Sequence, residues 1–147
     1  MNREDESSVN TVDPMVSIQR FYDAENEFCR AAPGEKDITV MLKELDPDVV
    51  VDVPRSLPHG GTWRGHDGFK ALFDRVSEHW QEFVVVYSNA KFHQIDGNRV
   101  LTEGVLRGVL RATGKQVEMP WVSLFTFTDR GAVHLDHYYK DTAAIVS

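Results

Sequence analysis

Between Glu82 and Lys140 the chain repeats one pattern, a long strand-like run closed by a tight turn signal, and few folds accommodate it. Phe83, Val85 and Tyr87 alternate against Val84 and Val86 within the run from Glu82 to Gln94, and Asp96-Gly97-Asn98 then reads as a hairpin turn. Arg99 to Thr113 is the next run, turned by Thr113-Gly114-Lys115. Gln116 to Asp129 follows, with Met119, Trp121, Ser123, Phe125 and Phe127 on one face, and Asp129-Arg130-Gly131 turns the chain into Ala132 to Lys140. Asp141 to Ile145 is a short tail. Consecutive strands joined this way form an antiparallel meander. Strands of about ten residues or more usually bend, and Gly104 and Gly108, on one face of the second run, are natural bend points.

The first half supplies helices. Residues 1–12 are polar and are expected to form a disordered tail, leaving 13–147 as a single domain. Asp13-Pro14 is a helix start, with Asp as N-cap and Pro at the first helical position. Met15, Ile18, Phe21, Tyr22, Phe28 and Cys29 make its apolar stripe, interrupted by Glu25 and Asn26. Asp37 can cap a second, shorter helix bearing Ile38, Met41, Leu42 and Leu45, stopped by Asp46-Pro47-Asp48. Val49 to Val53 is β-branched and strand-like. A loop stiffened by Pro54 and Pro58 and loosened by Gly60, Gly61 and Gly65 carries His59 and Trp63. Phe69, Leu72, Phe73, Val76 and Trp80 then fall at helical spacing. Helices first and a meander after define an α+β fold, with helices packed on one side of a curved sheet.

The formal net charge of −7 argues against nucleic-acid or anionic-membrane partners, which need a basic face. No apolar run reaches membrane-span length, and the polar start lacks a signal-peptide core, so a cytoplasmic protein is expected. One cysteine, Cys29, permits no internal disulfide and reads as a structural thiol. The six histidines show no metal-ligand spacing, and His134 and His137 point to opposite faces of one strand. P-loop, dinucleotide and nucleophile-elbow motifs are missing too, so neither metal nor cofactor is expected.

Several segments together resemble the SnoaL-like branch of the nuclear-transport-factor-two-like superfamily. They are Ile18-Gln19-Arg20-Phe21-Tyr22, Leu45 to Pro54, Gly60 to Gly68, Phe125 to Asp129 and His137 to Asp141. The resemblance spans about residues 14 to 146. It implies a cone: a curved antiparallel sheet with the N-terminal helices across its concave side and a pocket at the open end. It also implies carboxylates, His or Tyr projecting into the cone as acids or bases, and, for many members, a dimer formed through the sheet. Polyketide cyclases, ketosteroid isomerase, scytalone dehydratase and limonene epoxide hydrolase share this fold, which therefore does not fix a reaction.

On this basis the expected function is cofactor-independent acid–base chemistry on a small, apolar or aromatic, carbonyl-containing ligand. A non-catalytic ligand-binding or dimeric interaction module is the alternative. His134, Asp136 and Tyr138 share one face of the last strand, and the family pattern aligns that face with the cavity. Asp136 and His59 are thus candidate bases, and Tyr138 a donor to a developing enolate oxygen. Trp63 and Trp121 offer surface for a flat ligand. Glu103 and Arg107 face one way, either toward ligand or as a surface ion pair. The apolar set Val133, Leu135 and Tyr139 is expected on the outer face, where it would suit a homodimer.

Overall fold

The computed structural model describes residues 13–146, and the expected N-terminal tail lies outside them. Helix α1 is Pro14–Arg30, capped by Asp13, whose carboxylate accepts from the Met15 and Val16 backbone amides. A 3₁₀ turn, Pro33–Glu35, and a one-turn helix α2, Thr39–Leu42, follow; Asp37 accepts from Thr39 N at 3.0 Å. Strand β1 is Leu45–Val53, β2 Gly61–Arg64, and helix α3 Gly65–His79. The meander is β3 (Trp80–Asp96), β4 (Arg99–Leu110), β5 (Gln116–Thr128) and β6 (Gly131–Tyr139), closed by a short helix α4, Ala143–Val146.

These six strands form one sheet in the order β2-β1-β6-β5-β4-β3. The sheet is mixed rather than wholly antiparallel: β1 runs parallel to β6, with Val51 beside Leu135 and Asp52 beside Asp136. Two local readings change. Asp46-Pro47-Asp48 does not stop a helix but lies inside β1, where the register shifts between Leu45 and Val50. Buried Asp46 accepts from Thr128 Oγ1 at 2.5 Å and Arg130 at 3.2 Å, tying β1 to the β5–β6 turn. The second half of the Gly-rich loop is strand β2, an edge too short to show a period.

The core fills the concave side. Ile18, Phe21, Tyr22 and Phe28 of α1 and Phe69, Leu72, Phe73 and Val76 of α3 pack against Val49, Val51, Val53, Leu106, Phe125 and Leu135 of the sheet. The polar interruption in the α1 stripe is explained in part by Asn26, whose amide clasps β3: Nδ2 donates to Val85 O and Val85 N donates to Oδ1, both at 3.0 Å. Gly104 and Gly108 lie where indoles pass, the rings of Trp121 and Trp80 coming within 2.9 and 2.8 Å of where a Cβ would stand.

One irregularity governs β6. Gly131 and Ala132 face Thr128 and Phe127, but the next pair is His134 with Thr126, so Val133 is an extra residue. This bulge keeps both Ala132 and Leu135 buried although they are three apart. Beyond it Leu135, His137 and Tyr139 turn inward, while His134, Asp136 and Tyr138 turn out. The expected parity is therefore inverted. Val133, Leu135 and Tyr139 do not form an outer apolar face on which a dimer could be built; beyond the bulge the convex side of β6 carries His134, Asp136 and Tyr138.

Candidate active site

Two small adjoining cavities occupy the cone, of about 50 and 40 Å³. Glu25, Phe83, His137 and Tyr139 line both. Tyr22, Trp121 and Ser123 complete one, and His59 with Phe69, Phe73 and Val76 the other. Each has room for about three waters.

Glu25 is the other half of the α1 interruption. It is 7% exposed, and its carboxyl has no hydrogen-bond or ion-pair partner among the described residues. Burial disfavours its charged form and pushes its pKa up to about 8. Across the cavity, burial acts oppositely on two imidazoles. His59 and His137 are each pushed down to about 4 and are neutral at pH 7.

His59 is held by its loop. Leu57 anchors in the core, Gly60 N donates to Leu57 O at 2.9 Å, and Leu57 N donates to Pro54 O at 3.1 Å. A Cβ on Gly60 would stand 2.1 Å from Pro54 O, so only glycine fits this turn. The Trp63 indole N–H donates to His59 O at 3.1 Å. The imidazole packs edge-on to Trp80, Phe83 and Tyr139, and its Nδ1 is buried with no hydrogen-bond partner among the described residues.

His137 is oriented from behind. Its Nδ1 shares a short hydrogen bond with Ser123 Oγ, which leaves Nε2 as the unengaged nitrogen. Tyr22 OH and Thr102 Oγ1 are 3.0 Å apart, and Thr102 Oγ1 donates to Ser123 O at 3.4 Å, so a buried polar chain underpins the imidazole. Burial also raises the phenol pKa values of Tyr22 and Tyr139.

The residues singled out in the sequence divide between the two faces. His59 and Trp121 line the cavities; Trp121 is 6% exposed. Trp63 sits behind His59 as its backbone clamp, on β2. Asp136 and Tyr138 lie on the convex face: Tyr138 is 56% exposed and donates to Asp136 Oδ2 at 2.7 Å. They do not converge with His59. Glu103 and Arg107 are outside too, Glu103 with His93 at 2.6 Å and Arg107 with its cross-strand neighbour Glu118 at 3.8 Å. Asp52, His134 and Asp136 place ligand atoms within 4.8 Å of one another on that face, a grouping made by the parallel pairing and invisible to spacing. Asp52 is satisfied by His134 at 2.8 Å and Thr62 at 2.7 Å.

Glu25, His137 and Tyr139 are thus the titratable cavity-lining residues that the candidate set lacked. Two signals point to them: a carboxylate inside an apolar helix stripe, and a histidine within the apolar parity of β6.

The fold and this site define an acid–base-furnished cone. The chain belongs to the SnoaL-like domain family, whose model matches residues 18–134. It is similar in fold to an NTF2-like protein of unknown function from Burkholderia pseudomallei, at 24% identity and TM-score 0.76, over 92% of this chain and 96% of that one. A Xanthomonas campestris pv. campestris protein named as a "putative polyketide cyclase" aligns at 22% identity and TM-score 0.72, over 90% and 94%. TerC, co-crystallised with polyporic acid, aligns at 22% and 0.75, over 91% and 98%. No protein of curated function matches in sequence. Among the described residues no helix is long and apolar enough to cross a membrane.

Proposed function

We propose that this protein is a cofactor-independent enzyme that moves a proton next to a carbonyl in a small, uncharged ligand, as isomerases, cyclases and dehydratases do. One observation carries the reading: an unpartnered buried carboxyl, Glu25, shares its cavity with two imidazoles whose proton affinity is shifted the opposite way. Pairs of groups pushed apart in this manner mark acid and base. Glu25, protonated at neutral pH, donates to the ligand carbonyl. His137 takes the adjacent carbon-bound proton at Nε2, and Ser123 and Tyr22 hold its ring in place. As the enolate forms, the Glu25 proton neutralises its oxygen, and reversal at another carbon completes an isomerisation or releases a leaving group. Ligand-bearing and cyclase-named proteins of the same fold lend the reading support.

The test needs no natural substrate. Cyclohexanone in deuterated buffer is followed by proton NMR for loss of its α-hydrogens. Exchange above buffer is expected with the protein, and a fall of about a hundredfold or more in Glu25→Gln and His137→Phe. Asp136→Asn should leave it unchanged. Binding without any exchange above buffer would instead make this a ligand-binding module.

A further inference from the structure

Thr102, Ser123 and His137 are direct cross-strand neighbours on β4, β5 and β6, and Tyr22 joins them from α1. The three hydroxyl residues are at most 2% exposed, so bulk water does not serve them. Each hydroxyl has one proton to give, and a buried group that fails to give it is costly. Four contacts join the set: His137 Nδ1 with Ser123 Oγ, the Ser123 side chain with the Tyr22 hydroxyl, Tyr22 OH with Thr102 Oγ1 at 3.0 Å, and Thr102 Oγ1 with Ser123 O at 3.4 Å.

The last contact has a direction. A backbone carbonyl only accepts, so Thr102 gives its proton to Ser123 O. Its oxygen is then an acceptor for Tyr22 O–H. The Tyr22 oxygen in turn accepts from Ser123 Oγ–H, and Ser123 Oγ accepts from His137 Nδ1–H. In the opposite order Thr102 gives its proton to Tyr22, Tyr22 to Ser123 and Ser123 to His137 Nδ1, and the bond to Ser123 O is lost. The first order makes four bonds and the second three, and bonds in such a chain reinforce one another. The two orders leave His137 in opposite tautomers, because the bond made by one ring nitrogen decides the state of the other.

We infer that Thr102 is a positioning residue that fixes the tautomer of His137, keeping the proton on Nδ1 and leaving Nε2 bare. Thr102 lines neither cavity and acts through Tyr22 and Ser123. When Nε2 takes a proton the ring becomes an imidazolium whose Nδ1–H still meets Ser123 Oγ, so no hydroxyl turns over during the transfer. The inference deepens the proposed use of His137 as a base, but the tautomer itself does not depend on turnover.

The ring nitrogens report it directly. The full chain, carrying isotope-labelled histidine, is studied without ligand at pH 7, where burial keeps His137 neutral. Long-range proton–nitrogen correlation NMR separates protonated from bare ring nitrogens, and His137→Phe assigns the signals. Wild type is expected to show a protonated Nδ1 and a bare Nε2. Tyr22→Phe removes the acceptor of Ser123 O–H, and Thr102→Val removes the end of the chain. Each is expected to move the proton to Nε2 and to lower α-deuterium exchange about tenfold or more. Thr102→Ser keeps the hydroxyl and should keep both tautomer and exchange. Thermal unfolding checks each variant, and with two links broken independently, loss of the fold in one leaves the other to decide. A protonated Nε2 in wild type, or the wild-type tautomer persisting in a folded Tyr22→Phe or Thr102→Val, overturns the inference. The expected tautomers without exchange above buffer would refute the proton-transfer reading and leave this one standing; exchange by a wild type with Nε2 protonated would do the reverse.

Discussion

Glu25, His59 and His137 write opposing slopes into the stability of the fold. Glu25 rises from 4.5 to about 8 on folding, so the native state holds a proton that the unfolded chain has lost between those values. Stability therefore falls with pH across that window. His59 and His137 drop from 6.5 to about 4, so between those values the unfolded chain holds two protons the native state lacks, and stability rises with pH. From pH 4.5 to 6.5 the unfolded chain is ahead by one proton, and the fold gains about 3 kcal/mol at roughly 1.4 kcal/mol per unit. From 6.5 to 8 only Glu25 differs, and about 2 kcal/mol is lost again. Stability should peak near pH 6.5. Glu25→Gln removes the falling limb and steepens the rise to about 5 kcal/mol over the lower interval. Urea unfolding of both proteins at pH 4.5, 6.5 and 8 measures this. If the variant still loses about 2 kcal/mol between 6.5 and 8, the carboxyl is not the buried acid described, and the proposed chemistry loses its donor.

Other positions separate positioning from exposure. Asn26→Ala leaves the Val85 amide and carbonyl without their clasp and should cost about 2 kcal/mol in chemical denaturation, whereas Arg107→Ala, on the convex face, should stay within about 0.5 kcal/mol. Tyr138→Phe should leave both stability and α-deuterium exchange near wild type, since its exposed hydroxyl donates to Asp136 on the outer face. Gly60→Ala drives a methyl into the Pro54 carbonyl; the loop must shift, costing about 1–3 kcal/mol by thermal unfolding and disturbing the Trp63 indole resonance through its bond to His59.

The meander, α1 and α3 are legible in the sequence because each buries one face, and burial imposes a period: two along β5, from Met119 to Phe127, and three to four along α3, from Phe69 to Val76. Strand β2 has no such signature, since its burial alternates only between partial and exposed. The parallel seam between β1 and β6 joins segments more than eighty residues apart, and no local pattern announces it. Site residues depend on parity, and parity in β6 depends on one extra residue. The family pattern led to Asp136 and Tyr138, while the physical pattern favoured the other face, where Leu135 is wholly buried. A leucine claims the core more strongly than a carboxylate does, and His137 rides inward on its alternation. Glu25 was visible as an oddity in the α1 stripe; its value as an acid depends on the lack of a partner, which only the packed structure shows.

The Val133 bulge also bears on how such a cavity could change its chemistry over generations. Both faces of β6 carry a complete set of proton-handling groups: His137 and Tyr139 within, His134, Asp136 and Tyr138 without. Losing or gaining a single residue at the preceding hairpin would exchange them, replacing His137 and Tyr139 in the interior with His134, Asp136 and Tyr138. Substitutions would then be needed only to bury the new inward set. A fold whose inward-facing titratable groups can be swapped by one insertion is well placed to host many reactions on one scaffold, with the other set held on the surface.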